Sequence, residues 1–147
     1  MAKEKQYTYR TSLRWTGERR GKLASSGETD LDVATPPEFS GHEGVWWPES
    51  LLVGSLESCV MLTFLYFAER ADLQLMEYTS EAEGRLSVGG GKMTFTGFTV
   101  RADIVVATED DVEAARKALG RAADACLVTQ SLGPDVDVQA NVRAAKG

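Results

Sequence analysis

The sequence predicts an α+β fold with antiparallel sheet packed around one long buried central helix, in the order βββ-α-ββ-α-α-β. Three observations carry this. The stretch Trp46–Leu73 is one long apolar run with a proline near its start. On either side of it, apolar residues alternate with polar ones at the period of half-buried strands. Late in the chain, Thr108-Glu109-Asp110-Asp111 opens a second helical region that Gly133-Pro134 stops.

In chain order, Gln6–Trp15 alternates: Tyr7, Tyr9, Thr11, Leu13 and Trp15 share one face of a strand. Thr16–Gly21 is polar and Gly-bounded, a hairpin turn. Lys22–Ser26 is a second strand, Gly27–Asp30 turns again, and Leu31 and Val33 mark a third. Ala34–Trp47 is a loop of unusual length for a compact domain, the kind that often carries function. Trp46 and Trp47 at its end are expected to be buried or at an interface.

Pro48 suits the first helical position, where a missing N–H costs nothing, and Glu49 in the first turn complements the helix dipole. From Leu51 to Ala68 apolar residues lie on nearly all sides, the mark of a helix buried in a core or a membrane. A membrane span needs about 20 mostly apolar residues. This run includes Gly54, Ser55, Ser58 and Thr63, and a charged Glu57 inside a lone span is costly. The run therefore reads as the central helix of a soluble core, with Glu57 at a polar gap, an interface or a site. Leu75–Val88 and Lys92–Ala107 are strands joined by Gly89-Gly90-Gly91. That triplet lacks the following Lys-Ser/Thr of a phosphate loop and reads as a hairpin turn. A phase change at Gly97 predicts a bulge or bend. The second helix, with Thr108 as N-cap, runs to about Leu119, where Gly120 breaks it. A further helical stretch, Arg121–Ser131, carries Cys126, and Val136, Val138, Ala140 and Val142 alternate in a last strand.

The 147 residues suit one domain, residues 1–147, with a sizeable core. A formal charge of −6 argues against nucleic-acid binding, which rests on phosphate neutralisation. The N-terminus lacks the apolar segment of a secretory signal. Two cysteines and one histidine argue against a Cys/His structural zinc site, a Ser-His-Asp triad and a metal facial triad. No metal, cofactor, nucleic acid or membrane is expected, and the reducing cytoplasm is the expected compartment. Taken alone, Cys59 and Cys126 both read as small buried apolar side chains. His42 lies in a Gly-rich loop far in sequence from either, so a Cys-His dyad has no support. A reactive thiol here needs arginine, lysine or a helix dipole as its activator.

WTGERRGKLAS, then WPESLLVGSLESCVMLTFL, then a second cysteine in a late helical stretch resembles the OsmC/Ohr family of osmotically inducible and organic hydroperoxide resistance proteins, over nearly the whole chain. The most specific part is Pro-Glu-x-Leu-Leu followed by Ser-Cys, with Glu49 ten residues before Cys59. The resemblance implies an intertwined homodimer, two long central helices between sheets, and two sites built from both subunits. It implies that Cys59 is the peroxidatic cysteine and Cys126 the resolving one. Glu49 matches the glutamate that positions an arginine. Arg19 best matches that arginine, with Arg20 the alternative. The implied activity is a cysteine-based peroxidase that reduces organic hydroperoxides through a Cys59 sulfenic acid and a Cys59–Cys126 disulfide. A dithiol, by analogy dihydrolipoamide, would reopen that disulfide.

The chemistry is coherent. A thiol of pKa ~8.5 is about 3% thiolate at pH 7, and a guanidinium that lowers it to ~6 raises this to about 90%. The sequence departs from the family pattern at Trp47, often asparagine there, and at Leu127, often proline. Two other functions compete: a hot-dog-like acyl-binding or thioesterase domain using Glu57 or Glu49, and a non-catalytic, stress-associated ligand-binding dimer. The first of these leaves the two cysteines unexplained.

Overall fold

In the computed structural model, residues 4–25, 27 and 29–145 are described. The chain forms two compact units, Met1–Leu51 and Leu52–Gly147.

The first unit is a three-stranded antiparallel meander of β1 (Thr11–Gly17), β2 (Arg20–Ser25) and β3 (Leu31–Ala34). Leu13 pairs with Leu23 and Trp15 with Gly21. The hairpin turns tightly through Gly17 and Glu18, at φ 118° and 47°. β1 starts at Thr11 rather than Gln6, so Tyr7 and Tyr9 lie outside it and are exposed. Ser26, expected at the end of the second strand, lies outside the described residues. Leu13 and Trp15 are 69% and 74% exposed, so the alternation of β1 is real but this chain covers neither of its faces. The loop after β3 holds a 3-10 turn, Pro37–Phe39. It then returns to the sheet edge: Trp46 donates its N–H to Asp32 O at 3.1 Å and accepts one from Ala34 at 3.0 Å. Trp46 remains 47% exposed, whereas Trp47 is half-buried and its indole N–H donates to His42 O at 2.8 Å.

The long helix α1 (Pro48–Arg70) begins at the proline that the sequence indicates. By length and composition it could cross a membrane. Its stripe Leu56, Val60, Phe64 and Ala68, at i, i+4 spacing, is instead built into the core. The sheet of the second unit is β4 (Leu75–Gly89), β5 (Lys92–Val106) and β6 (Asp135–Ala144), in that order. β4 and β5 form a long hairpin that turns at Gly90 and Gly91, whose φ of 57° and 77° are those of a type I′ turn. Between the pairs Arg85–Gly97 and Leu86–Phe95 one residue, Thr96, is extra on β5, which is the predicted bulge. Gly84 is required where α1 crosses β4: a Cβ there would stand 2.9 Å from Val53 Cγ2 and from Phe95.

Three expectations change. β6 runs parallel to β5, not antiparallel, because the chain between them crosses over through helices. Helix α2 (Val112–Ala125) does not break at Gly120, where a Cβ would meet nothing within 4 Å. The mid-helix glycine costs roughly 1 kcal/mol, and the buried stripe Ala115, Ala118, Leu119 and Ala122 carries the helix through. Thr108 has the extended backbone of an N-cap, but it precedes a 3-10 turn, Glu109–Asp111, and its hydroxyl caps nothing. The core gathers Phe64, Phe98, Val100, Ile104, Leu119 and Cys126.

Candidate active site: a half-buried thiol beside a buried one

Cys59 sits on α1 next to Val60 of the core stripe, so it faces the margin of the core and is half-buried. Cys126 is fully buried at the point where α2 ends and α3 (Leu127–Ser131) begins. It is a kink rather than a helical position: its ψ of 122° leaves the helical range. Its N–H closes α2 on Ala122 O at 2.9 Å, and its carbonyl receives Gln130 N–H at 3.0 Å to open α3. This turn brings the buried thiol and the backbone of Leu127 and Val128 to Cys59.

The two free thiols are held in unequal states. Burial pushes the Cys59 thiol up. The Cys126 thiol, the Val128 N–H, the Thr63 hydroxyl and the Leu127 N–H outweigh it, and hold Cys59 below the ordinary thiol range. Burial pushes Cys126 up, and its neighbour Cys59 pushes it further, against the opposing Thr129 hydroxyl and N–H. The pair shares one ready proton loss, and it falls to Cys59. Thr63 Oγ1 lies 4.0 Å from Cys59 Sγ and donates to Cys59 O at 2.7 Å.

A cavity of about 480 Å³ opens over Cys59, walled by Leu62, Tyr66, Leu127 and Val128. Of its two serines, Ser55 and Ser58, the second donates to Gly54 O at 2.8 Å. Glu57, left open between a polar gap, an interface and a site, fills a polar gap in the single chain: its Oε2 accepts the Ser80 hydroxyl at 2.6 Å. Burial and then the Glu57 charge push the neighbouring Tyr78 phenol up to about 12.

The other candidate residues lie in the first unit. Arg19 donates to Phe39 O at 3.3 Å. Arg20 Nη2 is 3.3 Å from His42 Nδ1, and His42 Nε2 is 3.5 Å from Glu18 Oε2. The only histidine is thus engaged by Arg20 and Glu18. Both arginines border a groove of about 450 Å³ with Leu13, Trp15, Val33 and Pro48. Glu49 Oε1 is buried without a hydrogen-bond partner, and among the described residues neither arginine forms an ion pair with Glu49. The structure therefore brings Cys59 and Cys126 together and leaves the Glu49–arginine pair unmade. Sequence reasoning missed Thr63 and the N–H groups of Leu127 and Val128. The i, i+4 spacing of Cys59 and Thr63 was a readable signal for the first.

The protein is similar to several known ones. The uncharacterized protein YmaD of Bacillus subtilis (strain 168) is 26% identical over 129 residues, which is 85% of this chain and 86% of that protein. Among solved structures, an OsmC-like protein of unknown function from Vibrio cholerae superposes with a TM-score of 0.84 at 20% identity, covering 92% of this chain and all of that one. An organic hydroperoxide resistance protein from Elizabethkingia anophelis gives 0.74 at 20% identity, over 97% of this chain and 100% of that one. An organic hydroperoxide resistance protein OsmC from Legionella pneumophila gives 0.73 at 23% identity, over 95% and 98%. These likenesses show the fold, and the family model for OsmC-like protein matches residues 41–141. By that match, which includes Cys59 and Cys126, the chain belongs to the OsmC family.

Proposed function

We propose that the protein is a homodimeric thiol peroxidase that reduces organic hydroperoxides to alcohols in a reducing, cytoplasmic compartment. The observation that carries this is the unequal thiol pair: a half-exposed thiol of lowered pKa beside a buried one of raised pKa, under an apolar-walled cavity. The names of the hydroperoxide resistance proteins that share the fold support it.

In the first step the Cys59 thiolate attacks the distal oxygen of the hydroperoxide. The O–O bond breaks, the alkoxide leaves and takes a proton, and Cys59 becomes a sulfenic acid. In the second, Cys126 gives up its proton and attacks the Cys59 sulfur. Hydroxide leaves as water with that proton, and a disulfide forms. A dithiol, dihydrolipoamide by family analogy, then exchanges twice with the disulfide, restores both thiols and is itself oxidised. The apolar walls favour an alkyl or aryl peroxide over hydrogen peroxide.

Arg19, with Arg20 as the alternative, supplies the guanidinium that stabilises the thiolate, and Glu49 fixes it. The unpartnered Glu49 Oε1 supports this, because a buried carboxylate oxygen is costly until a donor reaches it. A second copy of the chain supports the same reading from another side. Leu13, Trp15, Leu62 and Tyr66 are large apolar side chains more than half exposed in the single chain. An intertwined dimer covers them and builds each site from both subunits. The test is thiol titration before and after one equivalent of cumene hydroperoxide. Loss of both thiols per chain is expected; no loss overturns the reading.

A further inference from the structure

The end of α1, Ala71 and the flank of α2 enclose a second cavity, of about 420 Å³, that shares no lining residue with the Cys59 cavity. Its floor is Phe67, Ala71, Ala114 and Ala118, and its rim is Lys117 and Arg121. The guanidinium of Arg121 is stacked on the Phe67 ring, 4.3 Å from its centroid, which leaves its N–H edges free. Neither Lys117 nor Arg121 makes an ion pair among the described residues. Two acids on α2 lie at helical spacing from them: Glu113, four residues before Lys117, is held by Arg116 at 3.0 Å, and Asp124, three residues after Arg121, forms no ion pair among the described residues. Two like charges at i, i+4 that no ion pair answers disfavour the helix that carries them. They stand out in a chain whose formal charge is −6.

We propose that this cavity binds a single-chain amphiphile with one anionic head, of the long-chain carboxylate class. The hydrocarbon lies on the alanine and phenylalanine floor. The carboxylate takes paired N–H bonds from Arg121 and a point charge from Lys117. A small inorganic anion leaves the apolar floor empty, and a neutral lipid leaves the two cations unanswered. The volume lies within the range of small-molecule sites, roughly 300–1,000 Å³.

The test is titration of ¹⁵N-labelled protein with dodecanoate below its micellar concentration, followed by amide chemical shifts. Saturable shifts are expected at residues 67–71 and 114–121. Arg121→Gln and Lys117→Gln are each expected to weaken binding by about tenfold or more, as the carboxylate loses a charged partner. Ala114→Leu keeps both cations but fills the floor, and is expected to abolish binding while circular dichroism stays unchanged. Dodecyltrimethylammonium is expected not to bind there. The proposal is overturned by shifts confined to the Cys59 cavity, by equal binding of the cationic amphiphile, by unchanged affinity in both glutamine variants, or by no saturable binding.

Discussion

The Thr63 hydroxyl donates to the carbonyl oxygen of Cys59 at 2.7 Å and lies 4.0 Å from that residue's sulfur. It has one proton and two acceptors within a bond rotation. With Cys59 protonated, the carbonyl holds it; with Cys59 ionised, the thiolate is the stronger acceptor. Thr63→Val keeps the shape and removes the switch. The Cys59 pKa is expected to rise, because the thiolate loses a hydrogen bond that favours the charged form. Thr63→Ser should retain the wild-type value. Thiolate absorbance against pH measures it, and equal titration of Thr63→Val and wild type refutes the role.

The pH dependence of peroxide consumption follows from the same group. Because the Cys59 pKa is lowered, the rate should rise with pH and level off before the ordinary thiol range is reached. If the proposed arginine activation holds, Arg19→Ala should move that rise to higher pH and cut the rate at pH 7 by roughly tenfold, through loss of the cation that the dimeric site is proposed to supply. Glu49→Ala should do so in part. If Arg20→Ala has the effect and Arg19→Ala does not, Arg20 is the activator; if neither does, arginine activation is wrong.

Tyr78 allows a stability prediction. Its folded pKa is raised from about 10 to about 12, so its contribution to stability is fully present below pH 10 and is lost as pH rises through 12. Its hydroxyl has no hydrogen-bond partner although its oxygen is buried. Tyr78→Phe is therefore expected to be neutral or to stabilise by up to about 1 kcal/mol, and to flatten the alkaline loss of stability. Urea unfolding at pH 8, 10 and 11.5 checks both, and a loss above 2 kcal/mol in Tyr78→Phe contradicts the reading of an unpaired hydroxyl.

Leu13 tests the dimer. At 69% exposure it contributes little to the single chain, so Leu13→Glu would be harmless to a monomer. In a dimer that buries it, the change forfeits about 2 kcal/mol of apolar burial and adds a desolvated charge. Sedimentation equilibrium should show wild type as a dimer at micromolar concentration and the variant dissociating at least tenfold more readily. A folded wild-type monomer at that concentration rules the dimer out.

Much of the architecture was legible because local rules decided it. Pro48 opens α1, the glycine triplet closes the long hairpin, and the phase change beside Gly97 is a bulge. The direction of β6 was not legible, since alternation reads the same in parallel and antiparallel strands. Gly120 misled because propensity is a weak prior against a buried helix face. The alternation of β1 gave the strand but not its burial, because alternation marks two unlike faces without saying what covers either. Cys59 and Cys126, 67 residues apart, are joined by the kink at Cys126, and no single residue there announces a kink. Their unequal pKa values arise from that meeting and were beyond any reading of spacing.

The central claim is that Cys59 attacks and Cys126 resolves. It is tested most directly by intact-mass spectrometry after one equivalent of cumene hydroperoxide. Wild type should lose two hydrogens as a Cys59–Cys126 disulfide forms. Cys126→Ser should gain one oxygen on Cys59, as a sulfenic acid, and a second, as a sulfinic acid, only when a further equivalent is added. Cys59→Ser should remain unchanged in mass and consume no peroxide. If both serine variants consume hydroperoxide like wild type, the thiols are packing and the peroxidase account is contradicted.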